Sequence, residues 1–275
     1  MPMQRFQLGR TVKHLRQYRH IAAVLFKYGF TEVAESLSYL MRINIGRHRR
    51  RPAADSHPRA RHLRMAIEEL GPTFVKVGQL LSTRPDLLPP EYILELEKLQ
   101  DNVAPVAFPL IRDEIESQLH QSLYQLFKSF DETPIAAGSI AQVHRAVTLD
   151  GQAVAVKIRR PGIVETLEVE CEILQNLAGL FKNMMRQDKT VDPVRMMHEF
   201  TDAVSKESDL TNELHNLQRF VANFNDDPTV HVARPFEAYC ASGVLTMEFI
   251  DGIRSGDVDA IVAAGLDPKI IAKRG

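Results

Sequence analysis

Two lysines in apolar surroundings have the most specific chemistry in this sequence. Lys157 ends the apolar run that begins at Val154, and Lys76 lies with Gly78 and Gln79 in a helical pattern where a core residue is expected. A buried ammonium without a counter-charge is costly or loses its proton. A strand lysine paired with a carboxylate can bind nucleotide phosphates. For an isolated K-x-G-Q pattern, a Lys76 stem that snorkels over apolar surface is the simpler interpretation.

Candidate counter-charges lie between Glu207 and Glu213. On a regular helix, Asp209 and Glu213 would share one face, whereas Glu207 would point almost opposite to Asp209. One carboxylate cannot serve two lysines. We therefore assign Glu213 to Lys157, and at least one of Glu207 and Asp209 to Lys76 or to a metal ion. Taken alone, acidic residues on this helix would more often form a solvated face.

A turn of small residues precedes Lys157 by about 20 positions in the sequence. It consists of Ala136, Ala137, Gly138 and Ser139. Small residues let backbone amides approach an anion such as phosphate, although a purely structural turn has the same composition. Asp150-Gly151, between the Val- and Ala-rich runs 142–149 and 152–158, predicts a tight antiparallel hairpin. The turn, the strand lysine and the later glutamate follow one another as in a kinase-like phosphate clamp.

Composition indicates a globular chain from a reducing compartment. The 275 residues are 44% hydrophobic and 25% charged, with a formal net charge of -1, which allows one or two real cores. Cys171 and Cys240 are the only cysteines and form no C-x-x-C, which argues against a disulfide framework or a zinc site. No run of about 18 apolar residues and no signal-peptide layout is present. We therefore expect a cytoplasmic chain without a transmembrane segment.

The near-neutral total conceals a basic arm. Residues 1–64 carry 14 Lys and Arg against 3 Asp and Glu, or +11, and the remainder carries 20 against 32, or -12. Amphipathic helices are predicted at Ile21 to Phe30 and at Val33 to Ile45. A basic cluster follows, made of Arg47, Arg49, Arg50 and Arg51. The arm suits peripheral attachment to an anionic membrane on its inner face, with a solvated basic linker as the alternative. Nucleic acid is disfavoured because Arg and aromatic residues do not interleave.

Together these motifs resemble the UbiB (AarF, ADCK-like) family of atypical protein-kinase-like proteins, which support ubiquinone biosynthesis. The resemblance covers about residues 60–275 and four signatures in the family's order: K-x-G-Q continuing through Ser82 to Asp86, the Ala-rich loop before Gln142 to His144, the strand lysine, and E-x-D with its downstream glutamate. In this family the Ala-rich loop replaces the kinase Gly-rich loop, and the K-x-G-Q lysine meets the E-x-D carboxylates across the active site. The resemblance implies a small-molecule kinase or ATPase rather than an ordinary protein kinase.

The implied fold is α+β. It is a protein-kinase-like N-lobe, with a small antiparallel sheet plus helices, after a family-specific helical N-terminal extension, and with the C-lobe essentially missing. Residues 1–59 would be the basic arm and 60–130 the K-x-G-Q extension. Residues 131–250 would form the N-lobe with its E-x-D helical insert, and 251–275 the hinge and the start of the C-lobe.

The resemblance also implies ATP or ADP with Mg²⁺ as cofactor, and quinone-precursor lipid or ubiquinone-biosynthesis proteins as partners. The residues that would hold the nucleotide are Ala136, Ala137, Gly138, Ser139, Lys157, Glu213, Met247, Glu248 and Ile250. Those that would gate the site are Lys76, Gln79, Glu207 and Asp209. Lys157 would bridge the α- and β-phosphates, with Glu213 holding it, and the hinge from Glu248 to Ile250 would meet adenine. Gly138 departs from the all-alanine loop, which loosens the backbone and could shift nucleotide preference.

The sequence departs from the family after Glu248, where it contains no H-x-D loop, no Asn metal ligand and no D-F-G. The catalytic Asp is therefore absent and the metal ligands are unknown. Phosphoryl transfer needs Mg²⁺ held by such carboxylates, so we expect this polypeptide alone to be poorly active or inactive, as a truncated or split member. The alternative is a non-catalytic membrane- or lipid-binding scaffold. An ordinary protein kinase fragment is disfavoured because it has no reason to carry K-x-G-Q ahead of the nucleotide loop.

Overall fold

Along the described part of the chain, helices precede and follow the strands of a sheet. The structure, a computed structural model, describes residues 17–40, 59–99, 103–184 and 192–274. The helices are α1 (residues 17–27), α2 (Thr31–Leu40), α3 (Arg59–Leu70), α4 (Pro72–Ser82), α5 (Pro90–Leu96), α6 (Phe108–Leu119), α7 (Leu123–Leu126), α8 (Ile163–Met184), α9 (Pro193–Ser208), α10 (Leu210–Asn223), α11 (Val258–Ala263) and α12 (Pro268–Arg274). The strands are β1 (Phe127–Phe130), β2 (Ala136–Ala137), β3 (Ala141–Thr148), β4 (Ala153–Arg159) and β5 (Val244–Glu248).

These elements divide into two units. The first takes in the described residues up to Ala104, with Gly138–Ile140 and Gly162–Lys206, and the second takes in Pro105–Ala137, Ala141–Pro161 and the described residues from Glu207 onward. Each unit has its own hydrophobic core. The predicted arm helices correspond in part to α1 and α2, and the part beyond Leu40, with the arginine cluster, lies outside the described residues. In the part of the chain that the structure describes, no helix is long and apolar enough to cross a bilayer.

Helix α4 carries the K-x-G-Q pattern and begins with Pro72 at its first position, as the sequence predicts. Gly78 is buried where α4 passes close to Leu99 and α3. A Cβ atom at position 78 would lie 2.4 Å from Leu99 Cδ1 and 3.3 Å from Ile67 Cδ1. Glycine is therefore favoured here by close packing, because any residue with a Cβ would force the Leu99 side chain to move.

The second unit is built on an antiparallel sheet with strand order β1-β3-β4-β5, and β2 also pairs with β3. The predicted hairpin is present between β3 and β4. Its turn closes when the amide of Gly151 donates to the Thr148 carbonyl over 3.0 Å, and Gly151 has a φ of 89°. Glycine adopts this left-handed conformation without the steric cost that other residues have.

One face of this sheet is the core of the second unit. Val154, Val156 and Ile158 of β4 are fully buried and pack with Ile111 and Ile115 of α6. Alternate residues of a strand face opposite sides, so the residues between them, Ala155 and Lys157, lie on the other face. The fold predicted from the sequence, a small antiparallel sheet with helices, is confirmed.

Candidate functional site

Lys157 lies in a row of side chains that crosses four strands. Ala136 of β2 is in register with Val143 of β3, Val143 with Lys157 of β4, and Lys157 with Leu245 of β5. Directly opposed residues in antiparallel neighbours project from the same face. This row therefore belongs to the face opposite the core of the second unit.

The neighbouring row on this face is formed by Arg145, Ala155 and Met247, which are also in register. Ala155 is the smallest side chain of the row, and Met247 is half-buried. The Arg145 guanidinium lies 4.7 Å from the ring centroid of Phe249. The sequence analysis named Met247 but missed Val143 and Ala155, although strict alternation with Lys157 along a hairpin identifies both.

The ion pair expected for Lys157 is present. Its Nζ lies 2.5 Å from Glu213 Oε2, and the two side chains are 26% and 42% exposed. Glu213 lies one turn inside α10, which packs against β5. The sheet and this helix therefore hold an ammonium and a carboxylate together at a solvent-accessible face.

The segment from Glu207 to Glu213 is not one regular helix, and this corrects the sequence-based geometry. Helix α9 ends at Ser208, and Asp209 has φ -103° and ψ 101°. Its Oδ1 accepts hydrogen bonds from the Thr211 amide at 3.0 Å and from the Thr211 hydroxyl at 2.7 Å. Aspartate is among the strongest residues for starting a helix in this way. Asp209 therefore caps α10 and does not share a continuous helix face with Glu213.

The predicted gating residues are divided between the two units. Lys76 and Gln79 lie on α4 in the first unit, and Glu207 and Asp209 lie in the second. Gln79 Nε2 donates to the Leu99 carbonyl over 3.3 Å, so this side chain joins α4 to the residue that also packs on Gly78. Contact of Lys76 with the E-x-D carboxylates stays a prediction.

The turn of small residues is shorter than the sequence analysis expected. Ala136 and Ala137 form strand β2, so Gly138, Ser139 and Ile140 make the connection to β3. Ser139 is buried, and it belongs with Gly138 to the first unit. The role of these residues as a phosphate loop stays a prediction.

The predicted hinge begins with a well-anchored Glu248. Its amide donates to the Arg234 carbonyl at 2.8 Å, and its Oε2 lies 3.0 Å from His231 Nε2. The next amide, that of Phe249, donates to Ala153. If the hinge meets a base, the donor would come from farther along, at Ile250, which is exposed. Within the described residues, no group of three or more His, Cys, Asp or Glu side chains is arranged to hold a metal ion.

Comparison with known proteins identifies the family to which this sequence is related. The family model for the ABC1 atypical kinase-like domain matches residues 98–275. The probable protein kinase UbiB of Cellvibrio japonicus is 40% identical over 217 residues, covering 79% of this chain and 39% of that protein. The probable protein kinase UbiB of Pectobacterium carotovorum is 34% identical over 270 residues, covering 96% and 50%. A solved complex of Rv3197 with erythromycin from Mycobacterium tuberculosis is 28% identical, covers 70% of this chain and 48% of that one, and has a TM-score of 0.49.

The chain spans between 39% and 50% of the length of these two curated relatives. The matched region contains the whole sheet and the Lys157–Glu213 pair. The resemblance drawn from the sequence motifs is thereby confirmed, and this chain belongs to the ABC1 atypical kinase-like family.

Proposed function

We propose that this chain binds ATP or ADP with Mg²⁺ on the sheet face around Lys157, as the small lobe of an atypical kinase or ATPase. The observation that carries the proposal is the Lys157–Glu213 pair, which is partly exposed and lies beside Ala155 and Met247 on the sheet face opposite the core. A lysine ammonium has three donors. With one of them on Glu213, the other two can bind phosphate oxygens.

The side chains beside Lys157 suit a flat base. Ala155 is small enough to let a ring approach the strand. Met247 lies in register beside Ala155, and Val143, which is in register with Lys157, adds an apolar side chain from the adjacent row. Methionine adapts its shape and makes favourable contacts with aromatic rings. Mg²⁺ would neutralise phosphate charge when bound, with ligands mostly from the phosphates and water, as is usual for this ion.

Family membership supports a role in ubiquinone biosynthesis, with a quinone-precursor lipid or its biosynthetic proteins as partners. We propose further that the 275-residue polypeptide binds nucleotide but turns it over poorly. Its sequence has no H-x-D or D-F-G to hold Mg²⁺ and to accept a proton. An ATPase assay on the isolated polypeptide tests this second statement separately from binding.

Calorimetric titration with Mg-ADP and Mg-ATP tests the binding proposal. Lys157→Ala removes a charge-assisted contact of about 1.5–3 kcal/mol, so we expect affinity to fall roughly 10- to 100-fold. Lys182→Ala is the matched control, because Lys182 is also in an ion pair, 2.7 Å from Asp192, on the first unit. Absence of nucleotide binding to the wild type, or equal affinity of the Lys157→Ala variant, contradicts the proposal.

A second candidate function is that of a membrane-attached scaffold. The observation that favours it is the charge of +11 on residues 1–64. Anionic headgroups attract such segments by about 1 kcal/mol per basic residue near the surface. The two functions are compatible, because they involve different parts of the chain.

A further inference from the structure

Arg159 connects three backbone segments that meet beside Lys157. Its guanidinium Nη1 donates to the Ser208 carbonyl at 2.9 Å and to the Ser242 carbonyl at 3.3 Å. Its own amide donates to the Gly243 carbonyl at 2.9 Å. One residue at the end of β4 is thus bonded both to the last residue of α9 and to the turn before β5.

The first of these contacts occurs where the helical path is interrupted. The last carbonyls of a helix have no partner within that helix, and a cation near them is favourable. Arg159 supplies the Ser208 carbonyl with a hydrogen-bond donor and with a nearby positive charge. The next residue, Asp209, then turns into its extended conformation and caps α10.

The second contact fixes the start of α10. The Leu210 amide donates to the Ser242 carbonyl at 2.9 Å, the same carbonyl that Arg159 reaches. Leu210 is also buried, at 1% exposure. The beginning of α10 is therefore attached to the β5 turn through a group that Arg159 also holds. Glu213 lies three residues later, about 4.5 Å along the helix axis at the usual rise per residue.

Lys157 and Arg159 are two residues apart on β4 and face the same side. They hold α10 at two places, Arg159 through the backbone at its start and Lys157 through the carboxylate one turn later. The carboxylate of that pair is 42% exposed, and exposed ion pairs alone contribute little to holding two elements together. The backbone contacts at the start of α10, those of Arg159 among them, therefore contribute to its orientation.

We infer that Arg159 is a positioning residue: by binding the Ser208 and Ser242 carbonyls it sets where α10 begins, and so where Glu213 meets Lys157. Its effect on nucleotide affinity rests on the proposed function. Its effect on the ion pair does not.

The test compares Arg159→Gln and Arg159→Lys with wild type in the full chain, with Arg195→Gln as control, since Arg195 is in an exposed ion pair with Glu199. Two measurements need no nucleotide: amide hydrogen exchange at Leu210, and the NOE between the Lys157 ε-methylene and the Glu213 γ-methylene. We expect faster exchange and loss of the NOE in Arg159→Gln. Arg159→Lys keeps the positive charge on a shorter side chain that ends in a single ammonium, so intermediate values are expected.

Nucleotide affinity gives the readout that a merely structural role would not produce. We expect Arg159→Gln to weaken Mg-ADP binding about five- to tenfold, a smaller loss than for Lys157→Ala because Arg159 acts on the nucleotide only through Glu213. In a Glu213→Gln background the same change should add no further loss, because Arg159 acts through Glu213. An unchanged NOE and unchanged Leu210 exchange in both folded variants, or full additivity with Glu213→Gln, overturns the inference. Absence of nucleotide binding to the wild type overturns the proposed function instead, while the two nucleotide-free measurements still decide the role of Arg159.

Discussion

His144 is the most completely buried ionisable side chain of the sheet. Its Nδ1 lies 2.7 Å from the Asp131 carbonyl, so this nitrogen donates. Its Nε2 lies 2.8 Å from Gln142 Nε2 and therefore accepts. These contacts fit the neutral imidazole, and burial lowers the pKa of His144 below its ordinary 6.5. A proton on Nε2 would both be poorly solvated and turn an acceptor into a donor that faces another donor.

The lowered pKa of His144 predicts how stability depends on pH. Below pH 6.5 the unfolded chain binds a proton that the folded chain excludes, so the stabilisation is complete above about pH 6.5 and is lost as pH falls toward the folded pKa. We expect His144→Gln to be less stable at pH 7.5, by about 1 kcal/mol per lost hydrogen bond, and to show a weaker loss between pH 7 and pH 5. Urea unfolding at several pH values measures both effects.

His198→Gln is the control for this experiment, because His198 is exposed on α9. It should leave the pH dependence as in wild type. If the unfolding free energy of His144→Gln changes with pH as steeply as that of wild type, His144 is not the cause of the pH dependence.

Of the two lysine pairings predicted from sequence, the structure contains that of Lys157 with Glu213. Lys157 and Glu213 are 56 positions apart, yet a lysine on an apolar strand requires a partner, and the acidic segment supplied one. Val143 and Ala155 are uncharged, so their residue types alone do not indicate that they belong to the site. Ala155 shares the site face with Lys157 because it lies two residues away on the same strand, and Val143 joins that face through the register of β3 and β4.

At the scale of elements, α4 is held by a glycine and a glutamine that do different things. Gly78 allows Leu99 and Ile67 to approach the helix, and Gln79 binds the Leu99 carbonyl. Two of the three named residues of the K-x-G-Q pattern thus stabilise the first unit. Their presence in the sequence is explained by packing before any contact with a nucleotide is considered.

Changing Gly78 to alanine should lower stability in spite of the better helix propensity of alanine. Alanine gains about 0.5–1 kcal/mol over glycine in a helix. Overpacking against the buried Leu99 costs about 1–3 kcal/mol, since the new Cβ would lie 2.4 Å from Leu99 Cδ1. We expect a net loss of about 1 kcal/mol in chemical unfolding, and a loss of more than 2 kcal/mol for Gly78→Val.

A double-mutant cycle with Leu99→Ala isolates the cause. In the Leu99→Ala background, Gly78→Ala should be neutral or stabilising, because the contacting methyl group is gone. If the two changes are additive, the close contact with Leu99 is not what requires glycine.

The elements that sequence predicted well have local signals. Asp150-Gly151 marks the hairpin, and Pro72 marks the start of α4. The break at Asp209 was missed because an aspartate four residues before a glutamate fits both a helix face and a helix cap. Whether Asp209 continues a helix or caps a new one depends on contacts from Arg159 and Ser242, which are far away in sequence. Strand β2 was missed because two alanines carry no strand signal without their partner β3.

The whole molecule combines a basic arm with an acidic remainder, +11 against -12. Such separation of charge suits a chain that turns one end toward an anionic surface and keeps the other away from it. Residues 47–51, where the arginines concentrate, lie outside the described ranges.

Vesicle flotation tests the arm without disturbing the fold. Deleting residues 1–64 would remove Ile21 and Leu37, which are fully buried, so point changes are preferable. With Arg47, Arg49, Arg50 and Arg51 all changed to Gln, we expect binding to phosphatidylglycerol-containing vesicles to fall at least tenfold, at about 1 kcal/mol per charge. Vesicles of phosphatidylcholine alone should bind neither protein. Equal flotation of both proteins on anionic vesicles would exclude these arginines as the membrane contact.

The register of the β3–β4 hairpin has a consequence for folding itself. A slip of one residue would turn Lys157 into the core and expose Val156 and Ile158, which are now fully buried. Exposing those two side chains forfeits about 1.5–3 kcal/mol each, and an unpaired ammonium in the core costs several kcal/mol more. A misaligned hairpin is therefore less stable than the native one by several kcal/mol. The charge of Lys157 thus disfavours a shifted register of the sheet that carries it, and the correct register places this lysine on the face opposite the core.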